Sequence, residues 1–192
     1  MRRAERRRER AVRTVVIVAS LVTAAAVTGV SYSVFTEKRE EQRIRKGLLT
    51  GEQRWGALGR NHVSESVDYS MAPPVGGDHD QAWANCNGEV YSDEIRNENA
   101  VHSLEHGAVW VTYNDTAADA DIRVLTDRVS KTPYTFMSPY KKQSSPITLT
   151  AWGRQLSVRA ASDPRVAQFF TKYVQGEQTP EPGAPCTGGS AG

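Results

Sequence analysis

The chain has 192 residues, with 24 Lys and Arg against 22 Asp and Glu for a net charge of +2. That charge is unevenly spread: residues 1–13 hold seven arginines against two glutamates, a local +5, so the rest of the chain carries −3. The mildly acidic remainder excludes a strong nucleic-acid binder, and its length leaves room for one small domain with a modest core.

An arginine run of this kind is a nucleic-acid arm or a topogenic signal, and the adjoining segment decides between them. Residues 14–36 are 23 positions without a charge, rich in Val, Ala, Leu and Ile. At about 1.5 Å per residue such a helix just spans a hydrocarbon core of roughly 30 Å. A transmembrane helix is expected there, with the arginines holding the N-terminus in the cytoplasm and Tyr32 and Phe35 at the interface. Ala24-Ala25-Ala26 offers a competing reading, a cleaved secretory peptide. The apolar stretch continues through Val27, Val30 and Val34, longer than such a peptide needs, so an uncleaved anchor is favoured. Either way residues 37–192 are exported.

Residues 37–54 mix Glu, Lys and Arg with helix formers, and Gly47 and Gly51 interrupt them, as in a solvated stalk. A globular α+β domain is expected over 55–176, and a Gly/Pro-rich, irregular tail over 177–192. Within the domain Ser66–Tyr69 reads as a short strand. Two prolines and two glycines in 73–77 then present His79 on a loop. Asn97 to Asn99 can cap a short helix through His106, with Gly107 as its stop. Ala108–Tyr113 is the best strand in the chain.

Ala118, Ile122, Leu125 and Val129 then step by helical spacing. Strands are expected at Tyr134–Met137, Ile147–Trp152 and Leu156–Val158. Asp163-Pro164 is an N-cap followed by proline at the first helical position, opening a helix that turns Val166, Phe169, Phe170 and Tyr173 inward. The fold class is thus α+β: a transmembrane helix followed by one small mixed sheet-and-helix extracytoplasmic domain.

Cys86 and Cys186 are the only cysteines, and both fall in the exported part, where an oxidising compartment permits a disulfide. The alternatives are two independent thiols, or Cys86 as a metal ligand near His79.

All four histidines lie between His62 and His106. On a helix His102, Glu105 and His106 stand at i, i+3 and i+4, so two imidazoles and a carboxylate share a face. An isolated i, i+4 histidine pair is often a bare helix face. Here, however, His62 and His79 fall in two further segments that fix the backbone, which raises the case for a metal site built from His62, His79, His102, Glu105 and His106. Such nitrogen-rich donors suit copper or zinc. Glu105 reads as a ligand, as a group orienting a histidine, or as a general base.

The last role matches His-x-x-Glu-His, the letter pattern of inverted zinc peptidases, with Glu177 or Glu181 as a conceivable third ligand. Met71 and Met137 could bias the site towards copper(I), but methionine more often fills a core. Asp78 and Asp80 could supply oxygen ligands, although such aspartates usually bond their own turn. The tryptophans and tyrosines read as core and rim more readily than as a ligand groove.

Three segments carry a family resemblance: His62-Val63, Pro73-Pro74-Val75-Gly76-Gly77-Asp78-His79, and Val101 through Gly107 running into the strand at 109–113. In these motifs the chain resembles the bacterial family catalogued as domain of unknown function 3105, over about residues 55–175. Gly76 stands where that family usually has Ser. The resemblance implies no activity. The functional expectation is therefore a membrane-anchored extracytoplasmic protein whose histidine-rich site binds copper or zinc, partnered by the lipid bilayer and by another envelope protein, and not primarily an enzyme. Alternatives are a metal-dependent hydrolase using Glu105, or a cell-envelope scaffold without metal.

Overall fold

The structure, a computed structural model, describes residues 30–190. It divides into two units, parted between Arg43 and Ile44. Residues 30–46 are helical (α1), which fits the helix formers of the charged segment, where Arg43 Nη2 bonds Glu40 Oε1 at 2.7 Å one turn away. Among the described residues no helix is long and apolar enough to cross a membrane; most of the expected span, residues 14–29, lies outside them.

The second unit is built on a six-stranded sheet in the order β1-β6-β5-β3-β4-β2. Its strands are β1 (Gln53–Arg54), β2 (Asn87–Val90), β3 (Val109–Tyr113), β4 (Thr135–Pro139), β5 (Ile147–Ala151) and β6 (Arg154–Val158). Strand β4 runs parallel to both β2 and β3, while β3, β5, β6 and β1 pair antiparallel in succession. The helices are α2 (Asn97–Glu105), α3 (Asp119–Ser130) and α4 (Pro164–Tyr173). Parallel pairing requires a crossover, and α2 and α3 supply the two that return the chain from β2 to β3 and from β3 to β4.

The two-residue period of a strand gives the sheet two apolar faces. Val109, Val111, Met137, Ile147, Leu149 and Leu156 pack with Leu125 and Val129 of α3 and with Val166, Phe169, Phe170 and Tyr173 of α4. Trp110 and Phe136 join the opposite cluster, with Ala100, Val101 and Leu104 of α2 and both cysteines. The candidate site belongs to this second face. Leu49 reaches the first core, and β1 pairs with β6, so the sheet takes in residues from the segment 37–54 that reads as stalk.

Two strands, β1 and β2, have no clear sequence signal. β2 is Asn-Gly-Glu-Val, an exposed edge strand whose pairing with β4 shifts register between Asn87 and Glu89. Its Asn and Gly are poor strand formers, and its pairing is imposed by the neighbouring buried strand. Conversely Ser66–Tyr69 forms no strand. The backbone N–H of Val67 donates to Glu98 Oε1 at 2.8 Å instead of to a neighbouring strand.

Helix α4 follows its sequence signals closely. Asp163 Oδ1 accepts the Arg165 backbone N–H at 2.9 Å, and Pro164 occupies the first turn. Replacing Asp163 by alanine should cost about 1 kcal/mol. In thermal denaturation this corresponds to a midpoint lower by roughly 3 °C, and an unmoved midpoint would count against the cap.

Candidate metal centre

Each histidine reaches the centre by a different backbone device. His102 and Glu105 lie on α2 and His106 caps its C-terminal end, while the other side of the helix presents Val101 and Leu104 to the sheet. Segment 80–84 is laced to this helix: Ala84 N–H donates to Asn99 O at 3.0 Å, Asn99 Nδ2 to Ala82 O at 2.7 Å, and Ser103 Oγ to Ala84 O at 2.6 Å. His62 and His79 are opposed in a single parallel bridge, closed by Val63 N–H to His79 O at 2.8 Å and His79 N–H to Asn61 O at 3.0 Å.

The proline–glycine loop is pinned where it meets the β5–β6 hairpin. Gly153 N–H donates to Val75 O at 2.7 Å, and Gln155 Nε2 to Pro73 O at 2.9 Å. At Gly76, with φ of +144°, an added Cβ would fall 2.7 Å from Leu58 Cδ1 and 3.2 Å from the Trp152 ring. The positive φ strains any L side chain at this position, and a Cβ would in addition require Leu58 to move.

One side-chain atom from each of His62, His79, His102 and Glu105 lies within 4.8 Å of the others. His79, His102 and Glu105 are buried, and His62 is exposed at the edge. Metal–nitrogen bonds of about 2.0–2.1 Å place opposed donors up to ~4.2 Å apart, so small side-chain rotations close the set on one ion. His106, expected among the ligands together with His79 and His102, stands beside this group and not in it. Its ring meets His102 edge-on at 4.5 Å and packs 5.2 Å from Trp83. Asp80 Oδ1 accepts Ala82 N–H and its Oδ2 accepts Arg96 Nη1, while Asp78 bonds Asn61, so both aspartates serve their loops. Met137 is in the core, and Met71 Sδ accepts from Ser70 Oγ at 3.6 Å.

The protonation pattern suits cation binding. Nδ1 of His79 lies 2.8 Å from Gly77 O, that of His102 2.7 Å from Asp80 O, and that of His106 2.6 Å from Pro185 O. A carbonyl can only accept, so each Nδ1 carries the proton and each neutral ring keeps its lone pair on Nε2. Backbone bonds of this kind are how proteins orient metal-binding imidazoles. Burial holds the His102 ring down to about 4 and also lowers His106. Burial opposes charge on His79 too, but the Glu105 carboxylate and the Gly77 carbonyl outweigh it and the ring is raised above its ordinary range. Burial likewise disfavours the Glu105 anion, yet the His79 ring and the Arg60 guanidinium beside it hold the carboxyl down to about 2.

Arg60, which carries no signal in the sequence beyond its nearness to His62, proves to be part of this constellation. Its Nε pairs with Glu105 Oε1, and its Nη2 with Glu181 Oε1 at 3.2 Å. The other carboxylate oxygen of Glu105, Oε2, faces His79 Nε2 at 2.9 Å. That contact has an ion-pair distance but not the alignment of a hydrogen bond, and His79 Nε2 is a buried nitrogen with no hydrogen-bond partner. In the neutral tautomer it sets a lone pair against a carboxylate oxygen, an arrangement that calls for a positive charge between or on the two groups.

The structure also joins Cys86 to Cys186 in a disulfide, so neither sulfur is available as a thiolate. Such a bond is what an oxidising compartment maintains. Fold and site together define a small, disulfide-closed α+β domain with a buried histidine–glutamate cluster that could hold a metal ion. The family described as protein of unknown function (DUF3105) matches residues 62–188, and the chain belongs to it. The match opens on His62 and extends past Cys186, so it takes in every histidine and both cysteines. No curated protein and no solved structure matches the chain.

Proposed function

We propose that the protein is a membrane-anchored, extracytoplasmic metal-binding protein that holds one zinc(II) or copper(II) ion through His79, His102, Glu105 and His62. The observation that carries this reading is the unpartnered, buried Nε2 of His79 opposite Glu105 Oε2. A divalent cation relieves that opposition and uses the neighbouring lone pair of His102 Nε2. The donor set is three imidazoles and a carboxylate with both cysteines oxidised, and such borderline donors favour zinc(II) or copper(II) over copper(I). His62, the exposed member, is the ligand through which the ion would enter or pass to another envelope protein.

The charge-free stretch 14–36 behind seven arginines supports the anchor, with residues 1–13 in the cytoplasm. A hydrolase using Glu105 as base is less well supported. One oxygen of that carboxylate is held by Arg60, and Glu181, a conceivable third peptidase ligand, also pairs with Arg60.

Elemental analysis of the purified protein tests the reading, together with melting in the presence of zinc or copper. One ion per chain is expected, and a metal concentration of 100 times Kd should stabilise the fold by about 2.7 kcal/mol. A metal-free protein whose melting responds to neither ion would turn the histidines into a purely structural cluster and favour the scaffold.

A further inference from the structure

On the opposite side of the sheet, where α4 ends against the chain entering β1, lies a cavity of about 440 Å³. Arg45, Lys46, Arg54, Arg154 and Lys172 line it, against the single carboxylate of Glu177. The nearest other anion, Glu52, is already committed: Oε1 pairs with Arg54 Nε, and Oε2 accepts the Tyr173 hydroxyl at 2.5 Å. Five cations thus converge on a concave surface with at most two carboxylates beside them.

The cavity is built into the fold. Lys172 is only 9% exposed, with its ammonium bonded to Gly47 O and 5.4 Å from the Tyr173 ring centroid. Arg154 Nη1 is held by Trp55 O at 3.1 Å and Gly153 O at 2.6 Å, while its other guanidinium donors have no partner among the described residues. Arg45 and Lys46 are exposed and make no ion pair among the described residues. Burial chiefly holds the Lys172 ammonium below its ordinary range; Glu52 and Glu177 oppose the shift, and Arg54 and Arg154 add to it. Clustered like charges of this kind are relieved by a bound anion, and forked guanidinium donors beside an ammonium suit the tetrahedral oxygens of a phosphoryl group.

We infer that this cavity is a binding site for a phosphoryl oxyanion, carried by a lipid headgroup or free in solution. Both sources offer the same chemistry, and the cavity's lining begins at Arg45, nine residues after the apolar stretch 14–36 ends.

The full chain in nonionic detergent micelles tests this without reference to the metal. Inorganic phosphate, titrated calorimetrically at constant ionic strength, should bind where chloride does not. The paired variant Arg45→Gln/Lys46→Gln, whose side chains are exposed and carry no fold contact, should bind about tenfold more weakly or worse. Arg154→Gln should do the same. In a second arm the micelles are doped with phosphatidylglycerol or phosphatidylcholine and melting is followed. Stabilisation by phosphatidylglycerol alone, lost in the paired variant, assigns the site to a headgroup. Phosphate binding without that lipid response assigns it to a free anion, and either result upholds the inference. If the protein prefers neither phosphate nor the anionic lipid over its control, or the paired variant and Arg154→Gln both bind as the wild type does, the inference is overturned.

Discussion

Replacing His79 or His102 by alanine is expected to abolish the metal-dependent rise in melting temperature, whereas His106→Ala retains it. The distinction comes from position. His79 and His102 are buried with Nδ1 tied to backbone carbonyls, which leaves Nε2 of each ring as the nitrogen open to a metal ion. His106 is equally buried and equally tied, but lies outside the group of converging donors. Outer groups that merely orient a ligand usually change affinity by about 10–100-fold, so loss of a ligand itself should exceed ~100-fold. At a metal concentration that stabilises the wild type by about 2.7 kcal/mol, a 100-fold weaker variant gains only roughly 0.4 kcal/mol. Because alanine at a buried site also lowers the metal-free midpoint, the quantity to compare is the increment on adding zinc or copper. His106→Ala losing that increment while His79→Ala keeps it would relocate the site along α2.

How much of the molecule is legible in the sequence depends on how local each signal is. The α2 face was readable because His102, Glu105 and His106 are fixed by helical spacing within five residues. β3 was readable from its own β-branched and aromatic side chains, and α4 from Asp163-Pro164. By contrast β2 owes its pairing to β4, more than forty residues away, and β1 owes its pairing to β6 across about a hundred residues. The bridge that sets His62 beside His79 is likewise non-local.

Helical spacing also has a blind spot. It places His106 on the same face as His102, yet it cannot distinguish a ring aimed at the centre from one tilted against Trp83 beside it. The carbonyls of Gly77, Asp80 and Pro185 that orient the rings have no side-chain identity to betray them.

Removal of the disulfide, by reduction or as Cys86→Ala/Cys186→Ala, is expected to lower stability by about 2–5 kcal/mol. The bond closes a loop with a sequence separation of 100, for which chain-entropy reasoning gives up to about 4.7 kcal/mol, and native bridges commonly contribute ~2–5. The effect is also spatially specific. The tail after α4 has no regular element, and besides Cys186 a handful of hydrogen bonds hold it to the domain. Glu181 N–H donates to Glu105 O at 3.0 Å, Tyr134 Oη to Ala184 O at 3.1 Å, and Gly189 N–H to Asn85 Oδ1 at 2.9 Å.

Pro185, next to the bridging cysteine, supplies the carbonyl that orients His106, and Glu181 holds the outer side of Arg60. Opening the bridge should therefore release the tail before the sheet unfolds. Hydrogen exchange should accelerate over residues 177–190 while β3 and β5 remain protected, and the denaturant midpoint should fall. Equal exchange in the two forms would mean that the tail's hydrogen bonds suffice without the covalent tie. Loss of tail protection with metal uptake intact would separate the two roles of this segment, because its contacts reach Glu105 through a backbone carbonyl and through Arg60 without touching His79 or His102 directly.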